Sequence, residues 1–141
     1  MKKKIFLLAM LFLLNILFSS CRFTPKMIEY YAQKENYVTA IGTITHIAYN
    51  EDRTALYLGF SDLTPQFSDD TFKVVGDNFL IVQEKEIDKK IYIGKQVEFV
   101  SATKYFGDGY VMPIVAISVD GETLLTFDEG FENFQEWIKD Q

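Results

Sequence analysis

The stretch from Tyr37 to Thr45 constrains this chain most. Val38, Ala40, Gly42 and Ile44 alternate with Thr39, Ile41, Thr43 and Thr45. A period of two rich in β-branched residues is the pattern of a strand with one face in a core. Gly42 lies inside that run, and an interior strand glycine marks a bulge or a sharp bend. Such a bend lets one long strand serve two sides of a barrel.

The neighbouring segments fit a small β domain. Before the strand, Thr24 and Pro25 open a short helix over about 25–35, because proline at a first helical position leaves no N–H unpaired. Asn50-Glu51-Asp52-Arg53 is a polar turn, Thr54 to Phe60 a second strand with Leu56, Leu58 and Phe60 on one face, and Ser61 to Thr71 a loop containing Pro65. Phe72 to Val75 forms a third strand. Asp77 then caps an expected helix from Asn78 to about Glu86 that buries Phe79, Leu80 and Val82. The run Phe79 to Val82 also suits a strand, and Glu84-Lys85-Glu86, poor strand formers, favour the helix.

Gln96 to Lys104 is a fourth strand with Val97 and Phe99 on one face. Asp108-Gly109, between aromatic and β-branched runs, signals a hairpin, since positive φ is easily reached there. Val111 to Val119 is a fifth strand, apolar on both parities over Ile114 to Ile117, so its centre is expected to be buried on both faces. Pro113 within it has no N–H for a ladder and belongs at an edge or bulge. After a turn at Asp120-Gly121, a last helix over about 129–139 aligns Phe131, Phe134 and Ile138, with Trp137 beside them.

The N-terminus follows a different rule. Lys2, Lys3 and Lys4 precede an apolar run from Ile5 to Phe18, which leads to Ser19, Ser20 and Cys21, the only cysteine. A basic start, a short apolar middle and small residues before a cut make an export signal. As a helix the run would be roughly 21 Å long, short of the ~30 Å core of a bilayer. A cysteine directly after small residues resembles the lipobox of bacterial lipoproteins. That resemblance implies cleavage between Ser20 and Cys21. It also implies lipidation of Cys21 with acyl chains such as palmitate, and a place on the extracytoplasmic face of the cell membrane. The expected organisation is a signal peptide over 1–20, a lipidated N-terminus and short helix over 21–36, and a β domain with a C-terminal helix over 37–141.

A single cysteine makes no disulfide within its own chain, so the mature fold rests on its apolar core. The chain has 14 Lys and Arg against 20 Asp and Glu; losing three signal lysines and no acid takes the net charge from −6 to −9. A domain this acidic is repelled by nucleic-acid phosphates.

Three strands, a short helix, two further strands and a bent, glycine-containing first strand resemble the OB-fold, a small five-stranded barrel. The resemblance spans about Tyr37 to Val119 and implies an architecture, not an activity. Members that bind nucleic acid use aromatic residues in a basic groove. Here Tyr57, Phe60 and Phe72 are flanked by Glu51, Asp52, Asp62, Asp69, Asp70 and Asp77, so no nucleic-acid partner is expected.

His46, the only histidine, sits within a strand, and the mature domain has no thiol; thiol–histidine and multi-histidine zinc sites are excluded within one chain. No serine stands in a Gly-x-Ser-x-Gly context. Asp69 and Asp70 are the pair a small envelope hydrolase using carboxylates would employ, but acids this common are ordinarily just solvated. Tyr105, Phe106 and Tyr110 flank the hairpin, either as a grip for an envelope protein, peptide or glycan or as cross-strand packing. The expectation is a non-catalytic binding or scaffolding module, lipid-anchored through Cys21, with no metal and no cofactor.

Overall fold

The computed structural model describes residues 23–104, 106 and 112–141. Ser20, Cys21, Tyr105, Tyr110 and the Asp108-Gly109 turn lie outside the described residues. The elements run α1 (Pro25–Tyr31), a 3-10 turn (Lys34–Asn36), β1 (Tyr37–Tyr49), β2 (Ala55–Thr64), β3 (Thr71–Val75), α2 (Gly76–Glu84), α3 (Ile87–Lys90), β4 (Gln96–Ala102), β5 (Met112–Val119), β6 (Glu122–Leu125) and α4 (Phe127–Lys139).

β1 to β5 close into a mixed, OB-like barrel in the order β3-β2-β1-β4-β5, with β3 and β5 joined in parallel. The protein is mostly β, with α2 between the third and fourth strands and α1 and α4 flanking the barrel. β6 is a sixth strand paired with the C-terminal half of β5.

β1 serves both sides of the barrel because it has two partners. Its first half, Tyr37 to Thr43, pairs with β4, and Ile41 to Tyr49 pairs with β2. Gly42 stands where the partners overlap. A Cβ there would lie 2.8 Å from Leu63 Cδ2 and 3.0 Å from Phe60 Cδ1, so any larger residue would have to push the Leu63 and Phe60 side chains of β2 aside. Ala40 and Ile44, two residues to either side, are buried as the alternation requires.

The barrel interior collects Ile44, Leu56, Leu58, Phe60, Phe72, Val74, Val97, Phe99, Ile114 and Ile117, all at most 2% exposed. Phe99 stacks on Phe60 at 4.5 Å and meets Phe72 edge-on at 4.8 Å. A second apolar layer lies outside the barrel under α1 and α4, built on Met27, Tyr31, Ala55, Val75, Val115, Phe134 and Ile138. β5 separates the two. Ile114 and Ile117 belong to the inner cluster and Val115 to the outer, which is why the strand is apolar on both parities.

The β4–β5 register shifts between Val100 and Ser101, leaving Val115 as the extra residue of a bulge. α4 rests on that bulge. A Cβ on Gly130 would overlap the Val115 carbonyl oxygen. Pro113 sits opposite Lys73 in the parallel closure.

Several boundaries differ from the sequence reading. β2 runs to Thr64 through the stretch expected as loop, because the long β1 offers Ile41 and Thr43 as partners for Thr64 and Ser61. Asp62 absorbs the resulting shift with φ of 54°. Asp77 is not the cap of α2. Val75 occupies that position in an extended conformation, and Asp77 falls in the first turn, where its charge complements the helix dipole. Leu80 is 56% exposed, and Asn78, 1% exposed, takes the buried position beside Phe79 and Val82.

Candidate functional site

The residues singled out in the sequence disperse. His46 is exposed on β1. Asp69 Oδ1 accepts from the backbone N–H groups of Asp70 and Thr71 at 2.6 and 3.2 Å, an acid shaping the turn into β3. Among the described residues, no group of three or more His, Cys, Asp or Glu is placed to hold a metal ion. Phe106 is half-buried, with its ring 5.3 Å from Tyr30 and 5.6 Å from Tyr31. That one described member of the aromatic trio is packed onto α1.

α1 forms as its sequence dictates. Pro25 takes a first helical position and Thr24 Oγ1 accepts the Met27 N–H at 3.3 Å. Its spacing sends Met27 and Tyr31 inward and leaves Tyr30 at the rim. There the Tyr30 hydroxyl accepts the Lys104 backbone N–H at 2.8 Å and lies 2.9 Å from Thr103 Oγ1.

The result is an aromatic ridge whose rim rings, Phe106, Tyr30, Phe23 and Trp137, are half-buried and are linked through the buried Tyr31. Phe106 meets Tyr30, Tyr30 meets Tyr31 at 5.4 Å, Tyr31 meets Phe23 at 5.9 Å, and Phe23 meets Trp137 at 5.7 Å. Lysines flank both ends. Lys104 lies over Phe106 at 4.8 Å, and Lys73 lies 5.8 Å from the Trp137 ring and 5.3 Å from that of Tyr57. Beyond Lys73 a shallow groove of about 380 Å³ continues past Trp137 and Leu80 to Arg53, which stacks over Tyr49 at 4.4 Å.

These cations are set apart by what they do not touch. Lys34, Lys89, Lys90, Lys95 and Lys139 each lie within 4.0 Å of a carboxylate. Among the described residues, no carboxylate comes that close to Lys26, Arg53, Lys73, Lys85 or Lys104. Of these five, Lys73 and Lys104 flank the ridge and Lys26 stands on α1.

A second surface lies at the other end of β4. The turn before that strand is docked on β1, the Ile44 N–H donating to the Lys95 carbonyl at 2.9 Å and the Gly94 N–H donating to the Ile44 carbonyl at 2.7 Å. Tyr92 and Ile93 are 59% and 68% exposed there. Lys95 lies over the Tyr92 ring and reaches both Asp120 carboxylate oxygens at 2.6 Å. That hydrogen bond holds the Lys95 ammonium pKa above its ordinary value. The seven residues of β4 put roughly 20 Å between this surface and the Lys104 end of the ridge.

Sequence reasoning missed the ridge because its rings come from residues 23, 30–31, 106 and 137, which only the closed fold unites. Tyr92-Ile93 was missed as well, although two large apolar residues directly before Gly94, in a turn, are a signal that the sequence carries. No protein-family model matches the chain, and no match was found among curated proteins or among solved structures.

Proposed function

We propose that this chain is a lipid-tethered, non-catalytic binding or scaffolding module of the cell envelope, held on the extracytoplasmic face through Cys21. The observation that carries the reading is the order of Lys2 to Lys4, the apolar run to Phe18, and Ser19-Ser20 before the sole cysteine. The architecture supports it in two ways. The barrel is filled with side chains, and the grooves on its surface are shallow, which suits contact with a partner better than a reaction in an enclosed cleft. The body also begins directly after the anchor: Phe23 is already packed on Tyr31 and Trp137, leaving only Arg22 between the lipidated residue and the fold.

The mechanism is tethering. Confinement at the membrane raises the local concentration of the module, so that weak contacts with an envelope protein, peptide or glycan become effective. Two or more acyl chains make such an anchor essentially permanent. Cys21→Ala in the native host is expected to release the protein from the membrane fraction or to leave an unprocessed precursor. Unchanged mass with unchanged fractionation overturns the tether. Photo-crosslinking from the exposed Tyr92 position tests the module, and a single saturable adduct is the supporting result.

A further inference from the structure

We propose that the anchored domain lies on the bilayer through the aromatic ridge around Phe23, with Lys73 and Lys104 set against anionic lipid headgroups. This orientation rests on the tether at Cys21. Two residues of chain span at most ~7 Å, so a lipid on Cys21 keeps Phe23 within that distance of its attachment point. Phe23 sits mid-ridge, in contact with Tyr31 on one side and Trp137 on the other. The surface that the anchor draws to the membrane is therefore the ridge.

The chemistry of that surface suits the place. Tyr and Trp rings settle at the headgroup level, where an amphipathic ring has both apolar and wet surroundings. Among the described residues no carboxylate lies within 4.0 Å of Lys73 or Lys104, which flank the ridge, and Arg53 extends the row along the groove. Acids are near: Glu29 shares α1 with Lys26, and Asp77 borders the groove. Elsewhere, at Lys95 and Lys90, lysines are already engaged by Asp120 and Glu122. A domain with a net charge of −9 is repelled overall by an anionic leaflet, so the orientation that presents unengaged cations is the favoured one. Each lysine at an anionic surface shifts that preference by about fivefold.

Trp137, the only tryptophan, reports the orientation directly. The full chain, purified with its anchor, is inserted into phosphatidylcholine vesicles carrying headgroup-level spin-labelled lipid, with and without phosphatidylglycerol. Trp137 emission is expected to be quenched, more strongly with phosphatidylglycerol, and to recover at about 1 M salt, where the Debye length is ~3 Å. Lys104→Gln, at the rim of the ridge, is expected to lower the ratio of facing to non-facing orientations about fivefold, and Lys104→Gln with Lys73→Gln by more. Protein that floats with the vesicles while Trp137 stays unquenched overturns the orientation and leaves the tether standing. Quenching indifferent to phosphatidylglycerol, salt and both variants removes the headgroup contact. Failure to float removes the tether, and the orientation with it.

Discussion

The inside of the barrel and the layer wrapped around it are both apolar and aromatic, yet they are held by different forces. Inside, the rings are phenylalanines: Phe60, Phe72 and Phe99 touch one another and Phe67 closes over them. Outside, tyrosines and the tryptophan stand among the phenylalanines, and polar groups thread between the rings. Tyr37 donates to the Tyr31 carbonyl at 2.7 Å, Gln135 donates to the same oxygen at 2.7 Å, and Asn78 ties α2 to α4. The interior is stabilised by the close packing of rings that make no hydrogen bonds. The outer layer is stabilised by volume and by hydrogen bonds of fixed geometry, which set where α1 and α4 lie. A surface meant to present rings and cations in one arrangement requires the second kind of construction.

The comparison breaks first at Phe99. Its ring is 1% exposed and stacked on Phe60, so Phe99→Ala removes a core ring and leaves a cavity, at an expected cost of about 3–5 kcal/mol. Against a typical stability of about 5–15 kcal/mol, that is the largest single loss foreseen. Denaturant titration of the purified protein measures it. A loss below about 1 kcal/mol would mean that the barrel interior collapses freely around the gap.

Asn78 probes the outer layer. Its Nδ2 donates to the Gly130 carbonyl at 2.8 Å, and its Oδ1 accepts from Asn133 at 3.1 Å. Asn78→Ala removes both of these hydrogen bonds from a buried position, with an expected cost of about 1–3 kcal/mol. The more telling readout is local. Hydrogen exchange is expected to quicken in α4 while β1 and β4 keep their protection, since α4 loses its tie and the barrel does not. Uniform loss of protection would instead make the layer and the barrel one cooperative unit.

What could be read from the sequence divides along the same line. The alternation around Gly42, the inward Leu56, Leu58 and Phe60, and the two-faced β5 are local patterns, and local patterns survive in a sequence. The outer layer was legible only in pieces. The stripe through Phe134 and Ile138 announced α4, but nothing in the order Gly76-Asp77-Asn78 says that an asparagine is the buried residue. Its partner Gly130 is 52 positions away. A rule that buries the most apolar residue chose Leu80, and hydrogen-bond satisfaction chose Asn78. The ridge was hidden for a related reason, because aromatics were sought beside one hairpin and the fold drew them from both ends of the chain.

Tyr37 gives the finest test of the two kinds of construction, because it is both a packed ring and a hydrogen-bond donor. Its ring meets Phe131 at 5.4 Å and its hydroxyl donates to the Tyr31 carbonyl. Burial foremost, then the neighbouring Tyr31, pushes its pKa well above the ordinary tyrosine value of 10.0. The folded state therefore keeps this proton at a pH where the unfolded chain gives it up. The stability it contributes is complete below about pH 10 and declines above it, by up to about 1.4 kcal/mol per pH unit. Tyr37→Phe is expected to cost about 0.5–1.5 kcal/mol near neutral pH through the lost hydrogen bond. The same substitution removes the alkaline decline. Denaturation midpoints of the two proteins are thus expected to converge as the pH rises beyond about 10. Parallel curves would mean that the phenol reaches water in the folded state, and that Tyr37 holds the outer layer by its ring alone.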